Sequence, residues 1–182
     1  AVAAAALCGG VGLAGVGAVV NPAQVFPGAK VAVLGLGGVG LNSLLGAIVA
    51  GAQQIVALDL HDDKLKLAKE LGATDTVNAK DPDAIQKVKD LTGGGVDYAF
   101  DAYGSSQTIS QCVDSLRKTG TAVMIGLAPV GDRAPIDMSD LWRNQKTLVG
   151  SYYGSGSPPQ LFGKMIDFFQ PGPIAFSGVS QR

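Results

Sequence analysis

Gly35-Leu36-Gly37-Gly38-Val39-Gly40 has the spacing G-x-G-x-x-G. Such a run does chemistry only where it joins a buried strand to a helix. Both flanks qualify. After the turn signal Pro27-Gly28, Lys30 to Leu34 reads as a buried strand, and Val39 to Ala50 reads as a helix stopped by Gly51. In that setting Gly35 permits the tight turn and Gly37 lets the backbone approach a pyrophosphate. Gly40 lets the helix lie close to the strand. The free N–H groups that open the helix then face the phosphates. An acid is expected about 20 residues further on, ending the second strand. Asp59 stands nineteen residues after Gly40. Its carboxylate would accept hydrogen bonds from the adenosine ribose and repel a 2′-phosphate, which favours NAD over NADP.

The elements that must hold these residues alternate along the chain. Ile55 to Leu58 reads as a second strand and Asp62 to Leu71 as a helix, with Lys64, Lys66 and Lys69 outward and Gly72 as its stop. Asp75 to Asn78 is a short third strand. Asp81 is expected to cap the next helix, which runs to about Thr92 with Ile85, Val88 and Leu91 on one face. Val96 to Phe100 is a fourth strand. Ser105 or Ser106 caps a helix that aligns Ile109, Val113 and Leu116. Thr121 to Ile125 and Thr147 to Tyr152 are strands five and six, and Pro158 to Phe169 a last helix. This alternation predicts an α/β Rossmann fold, a six-stranded parallel sheet with helices on both faces. Residues 1–25 read as a helical lead-in, 26–170 as the NAD-binding domain, and 171–182 as a tail leading toward an absent remainder.

Composition narrows the function classes. The 182 residues carry a net charge of −1, which gives no case for nucleic acid or an acidic membrane surface. Residues 1–29 and 31–58 are uncharged and long enough to suggest membrane spans. Both are broken by glycines, and the second also by Asn42, Ser43, Gln53 and Gln54, as suits a buried parallel sheet. The two cysteines, Cys8 and Cys112, make neither a disulfide framework nor a metal spacing, so a reducing, cytoplasmic setting is expected. Cys8 reads as a small buried apolar residue. The single histidine, His61, lies beyond Asp59 on the adenosine side, away from the hydride chemistry. The chain does not begin with methionine and reads as a fragment of a longer protein.

From about Leu7 to Phe169 the sequence resembles the coenzyme-binding domain of the zinc-type medium-chain alcohol dehydrogenases. The resemblance rests on Gly15-Val16-Gly17-Ala18-Val19, Val33 through Leu41, Asp62-Asp63-Lys64, Ala68 through Thr74, Gly94 through Tyr98 and Ile125-Gly126. It implies cofactor contacts besides Gly35, Leu36, Gly37, Gly38, Val39, Gly40 and Asp59. Lys64 would sit near the adenosine ribose, and Tyr103 beside the ribose or adenine. Ile125, Gly126 and Leu127 would back the nicotinamide, with Ser151, Tyr152 and Tyr153 near its carboxamide. The family's cysteine ligand to a catalytic zinc falls here on Gly10, with Cys8 two residues earlier, so no metal is expected in this chain.

The function implied is hydride transfer between nicotinamide and a small alcohol or carbonyl compound. The alternatives are a zinc-free quinone or enone reductase of the same superfamily, or a non-catalytic NAD-sensing module. The fragment should bind NAD yet contain no catalytic residue of its own. In the resembling family the segment matching Ala134 to Met138 pairs with its two-fold mate. Pro135 suits a sheet edge, and Ile136 and Met138, two residues apart, are expected on one face of a dimer-forming strand.

Overall fold

The computed structural model describes residues 8–156. The expected helix over 158–169 and the tail lie outside the described residues, as does the side chain of Cys8. A π-helical turn, Cys8–Gly12, leads into α1 (Leu13–Val20). The alternation follows: β1 (Lys30–Leu34), α2 (Gly38–Val49), β2 (Gln54–Asp59), α3 (Asp62–Glu70), β3 (Asp75–Asn78), α4 (Ala84–Thr92) and β4 (Val96–Asp101). The chain continues with α5 (Ser106–Ser115), β5 (Leu116–Met124), α6 (Met138–Arg143), β6 (Thr147–Gly150) and a short 3₁₀ turn at Tyr153–Ser155. All six strands are parallel, in the order β3-β2-β1-β4-β5-β6. This is the expected Rossmann sheet, and its direction of winding reverses between β1 and β4.

Alternation along each strand divides the core in two. Val31 and Val33 of β1 face α1, α2 and α3, with Leu44, Leu45 and Leu65 among their neighbours. Ala32 and Leu34 face α4 and α5, with Val88, Ile109 and Cys112. Burial on both faces explains why the strands read as unbroken apolar runs. The lead-in joins the first layer closely. A Cβ at Gly15 would lie 2.5 Å from the Val39 carbonyl of α2, and one at Gly46 would lie 3.2 Å from Val16.

Several local readings need correction. The fourth helix begins at Ala84 with Asp83 at its cap position. Asp81 instead closes the turn before it, accepting from the Asp83 and Ala84 backbones. The buried face of α4 is Ala84, Val88 and Thr92, and Leu91 is exposed. Strand β5 starts at Leu116, five residues early, because a register shift opposite Val96 and Tyr98 absorbs the turn at Thr119, whose φ is 65°. It ends at Met124, and β6 ends at Gly150, short of Tyr152.

Ala134 to Met138 is not a strand. Asp137 accepts from the Ser139 and Asp140 N–H groups at 2.7 and 3.2 Å and turns the chain into α6. Ile136 packs against the second core while Met138 is exposed, so the two do not share a face. Among the described residues, no helix is long and apolar enough to cross a membrane.

Candidate dinucleotide site

The turn after β1 is built by three glycines with different tasks. Gly35 has φ +89°, a conformation that L side chains avoid, and its N–H donates to the Leu58 carbonyl at 2.9 Å. Gly40 presses α2 onto that turn: a Cβ there would lie 1.8 Å from the Gly35 carbonyl oxygen. Gly37, the extended residue before α2, is exposed, and a Cβ there would meet nothing within 4 Å. The open space above Gly37 and the free N–H groups that start α2 form a cradle of the kind a pyrophosphate fills. Leu36 contributes only backbone, because its side chain is in the core, and Val39 also packs inward.

Asp59 ties this turn to β2. Its Oδ2 accepts from the Leu36 N–H at 2.7 Å, and its Oδ1 from the His61 N–H at 3.1 Å. The Lys64 ammonium stands 3.8 Å from Oδ2. The carboxylate is 8% exposed and opens on a cleft of about 230 Å³ between the start of α3 and the side of α5. His61, Lys64 and Tyr103 line that cleft. Ser105 is the cap of α5. It exchanges two bonds with Thr108, each 3.1 Å, in a capping box.

The reading of the sequence missed Asp101. It ends β4 as Asp59 ends β2. Its Oδ1 accepts from Tyr103 and Gly104 N–H groups at 3.1 and 2.9 Å, and its carbonyl accepts from Ile125 and Gly126, both at 2.9 Å. One residue thus organises the loops after both β4 and β5. Its Oδ2 is buried without a hydrogen-bond partner. Beside it, burial and the Asp101 charge push the Cys112 thiol well above its ordinary range. An acid closing a buried strand three residues before a glycine was the available signal.

The two loops meet backbone to backbone. A Cβ at Gly126 would lie 2.2 Å from the Gly104 nitrogen, and one at Gly104 would lie 2.4 Å from the Gly126 carbonyl carbon. Ile125 is buried in the first core and Leu127 is exposed. Ser151 is buried at the end of β6, donating its N–H to the Met124 carbonyl at 2.8 Å. Tyr152 and Tyr153 are exposed and stack edge to face, their centroids 4.7 Å apart. Gly154 follows with φ +75° and lies against α1, where its carbonyl accepts from Asn21 Nδ2 at 2.7 Å. All the expected cofactor residues therefore lie at the carboxyl ends of the strands, on the strand ends, the loops and the first helical turns that follow. Those up to and including Tyr103 border the cleft or the glycine turn. Those from Ile125 onward lie on the loops after β5 and β6.

Among the described residues no three histidine, cysteine or acidic side chains are close enough to share an ion, and Gly10 has no side chain to supply a ligand.

The chain matches the family described as zinc-binding dehydrogenase over residues 38–170. It is similar to a benzyl alcohol dehydrogenase from Acinetobacter calcoaceticus, with 37% identity and a TM-score of 0.86, covering 90% of this chain and 45% of that one. An alcohol dehydrogenase zinc-binding domain protein from Burkholderia ambifaria gives 35% identity and a TM-score of 0.83, with the same coverages. A zinc-binding dehydrogenase from Sinorhizobium meliloti 1021, bound to NADP, gives 30% identity and a TM-score of 0.71, covering 81% of this chain and 43% of that one. The chain thus spans a little under half the length of these relatives.

Proposed function

The chain belongs to the zinc-binding dehydrogenase family, and from that footing we propose that it is the NAD-binding half of an alcohol-dehydrogenase-type oxidoreductase. Bound nicotinamide would supply the hydride chemistry, exchanging hydride with a small alcohol or its aldehyde or ketone. The described residues would bind and orient. Gly37 and the start of α2 would take the pyrophosphate, and Asp59 the ribose. The loops at Ile125 to Leu127 and Ser151 to Tyr153 would border the nicotinamide.

The observation that carries the choice of NAD is Asp59. It is a carboxylate at the cleft wall, fixed by the Leu36 and His61 N–H groups, with free lone pairs for two ribose hydroxyls. A 2′-phosphate would meet that charge, and the nearest lysine, Lys64, is already drawn to it. Calorimetry with NADH and NADPH tests this. NADH should bind more tightly, and Asp59→Asn, which keeps an acceptor for Leu36 but removes the charge, should narrow the gap. Equal affinity for the two, or a preference for NADPH, refutes the assignment.

The same reading includes a homodimer. Among the described residues β6 is one of the two outer strands of the sheet, and Met138, Trp142 and Leu148 are exposed on α6 and β6. An open apolar edge of this kind favours pairing with a second copy. Sedimentation should show a dimer at micromolar concentration that Met138→Lys shifts toward monomer. A clean monomer of the unchanged chain refutes it. Ile136, being packed inward, is not a test of the interface.

A further inference from the structure

The cleft beside Asp59 continues away from the glycine turn, between the start of α3 and one face of α5. If Asp59 holds the ribose, this is where the base lies, and any role for this wall rests on the dinucleotide reading. Two side chains of α5 line it one turn apart, Gln107 and Gln111. Ser105 and Thr108, on the same wall, are committed to each other in the capping box. The two glutamines are not: among the described residues neither carboxamide makes a hydrogen bond, so both are open to a ligand in the cleft they line. Gln111 is half-buried on the cleft wall, and its amide is left to solvent or to a ligand in the cleft. The remaining lining is apolar where a flat ring would need it. Leu60, 45% exposed, and Tyr103, 66% exposed, are large side chains that the core does not use.

We propose that Gln107 and Gln111 read the polar edge of the cofactor's base and select a 6-aminopurine over a 6-oxopurine. A carboxamide carries a carbonyl acceptor beside an amide donor. Adenine presents the complementary pair at its 6-amino group and N7, the two-point pairing by which glutamine recognises adenine elsewhere. Hypoxanthine presents two acceptors on that edge, so the one carboxamide that pairs with adenine at two points would set its carbonyl against O6 and keep only the bond to N7. The apolar side chains hold the faces of the ring and do not discriminate.

The test is a displacement titration of the chain with NADH and with its hypoxanthine analogue, in the wild type and in Gln107→Met/Gln111→Met. Methionine keeps length and volume but cannot pair, and circular dichroism verifies that the variant is folded. The wild type should favour NADH by about tenfold, the scale of one two-point pairing. The double variant should bind both dinucleotides with similar affinity, near the wild type's affinity for the analogue. A wild type that binds both equally, or a variant that keeps the preference, overturns the assignment while leaving the dinucleotide site in place. Failure of the wild type to bind either dinucleotide overturns both readings.

Discussion

Gly37 and Gly40 are three residues apart in one motif, yet the structure predicts opposite consequences for the same substitution. At Gly40 an added methyl falls 1.8 Å from the Gly35 carbonyl oxygen, a backbone atom. Gly35 cannot yield easily, because its N–H is bonded to Leu58 and its φ is already +89°. Alanine gains about 1 kcal/mol of helix propensity over glycine. Overpacking costs about 1–3 kcal/mol, and more when backbone must move. A contact this short belongs at or beyond the upper end, which leaves a net loss of about 2 kcal/mol and a fall in Tm of roughly 4–8 °C for a domain of this size. At Gly37 φ is −75° and ψ −170°, open to any residue, with nothing within 4 Å. Gly37→Ala should cost only the preference for glycine over alanine at a helix cap, about 0.5–1 kcal/mol. Its methyl would nevertheless occupy the place of the pyrophosphate, and a clash of about 1.4 kcal/mol or more weakens binding about tenfold. Thermal melts paired with NADH titration separate the two. Gly40→Ala should lose stability and binding together, and Gly37→Ala chiefly binding, with only the small loss of stability given above. Unchanged NADH affinity in Gly37→Ala would refute the cradle, and an undiminished Tm in Gly40→Ala would refute the close approach.

Two further outcomes concern the second strand-ending acid and its neighbour. Asp101→Ala strands the Tyr103 and Gly104 N–H groups and should cost about 1–3 kcal/mol, whereas Asp101→Asn, which keeps the Oδ1 acceptor, should fall nearer the wild type in urea melts. Equal stability of all three proteins would show that the carboxyl does not hold the loop. The raised thiol of Cys112 gives a pH dependence. The unfolded thiol ionises first, near its ordinary value of about 8.5, while the folded one stays protonated. The unfolded chain then binds fewer protons, so this contribution is full below about pH 8 and is lost as pH rises. Urea melts from about pH 7 to about pH 9.5 should show a decline that is shallower in Cys112→Ala. Identical slopes in the two proteins would refute the shifted thiol.

The sheet, its order of elements and the glycine turn were legible in the sequence, because buried parallel strands are continuous apolar runs punctuated by glycine. Ala32 and Val33 look alike as letters although they face different cores, and that does not matter to finding the strand. What was not legible depended on contacts distant in sequence. The early start of β5 is set by pairing of Leu116 with Val96, and the fate of Ala134 to Met138 by Asp137, whose capping bonds outweigh a local pattern of alternating apolar residues. Leu36 occupies a motif position, but its side chain faces inward, since the motif needs only its backbone N–H.

Asp59 and Asp101 show why the site itself was only half readable. Each ends a strand flanking β1, and each uses Oδ1 to hold the N–H two residues on. In the sequence nothing about the residues themselves separates them. The difference lies in what is laid over each. The loop after β5 closes on Asp101: Gly126 and Gly104 meet with no room for a side chain, and the carboxyl is sealed off. Among the described residues no such loop covers Asp59, because β3 lies on that side of β2 and α3 turns away to leave the cleft. One acid thus serves the scaffold and the other the cleft. The choice is made by the length and glycine content of a loop more than sixty residues away from Asp59 in the chain. A substitution that forced Gly126 and Gly104 apart would therefore open a second acidic pocket and loosen the loop that should border the nicotinamide.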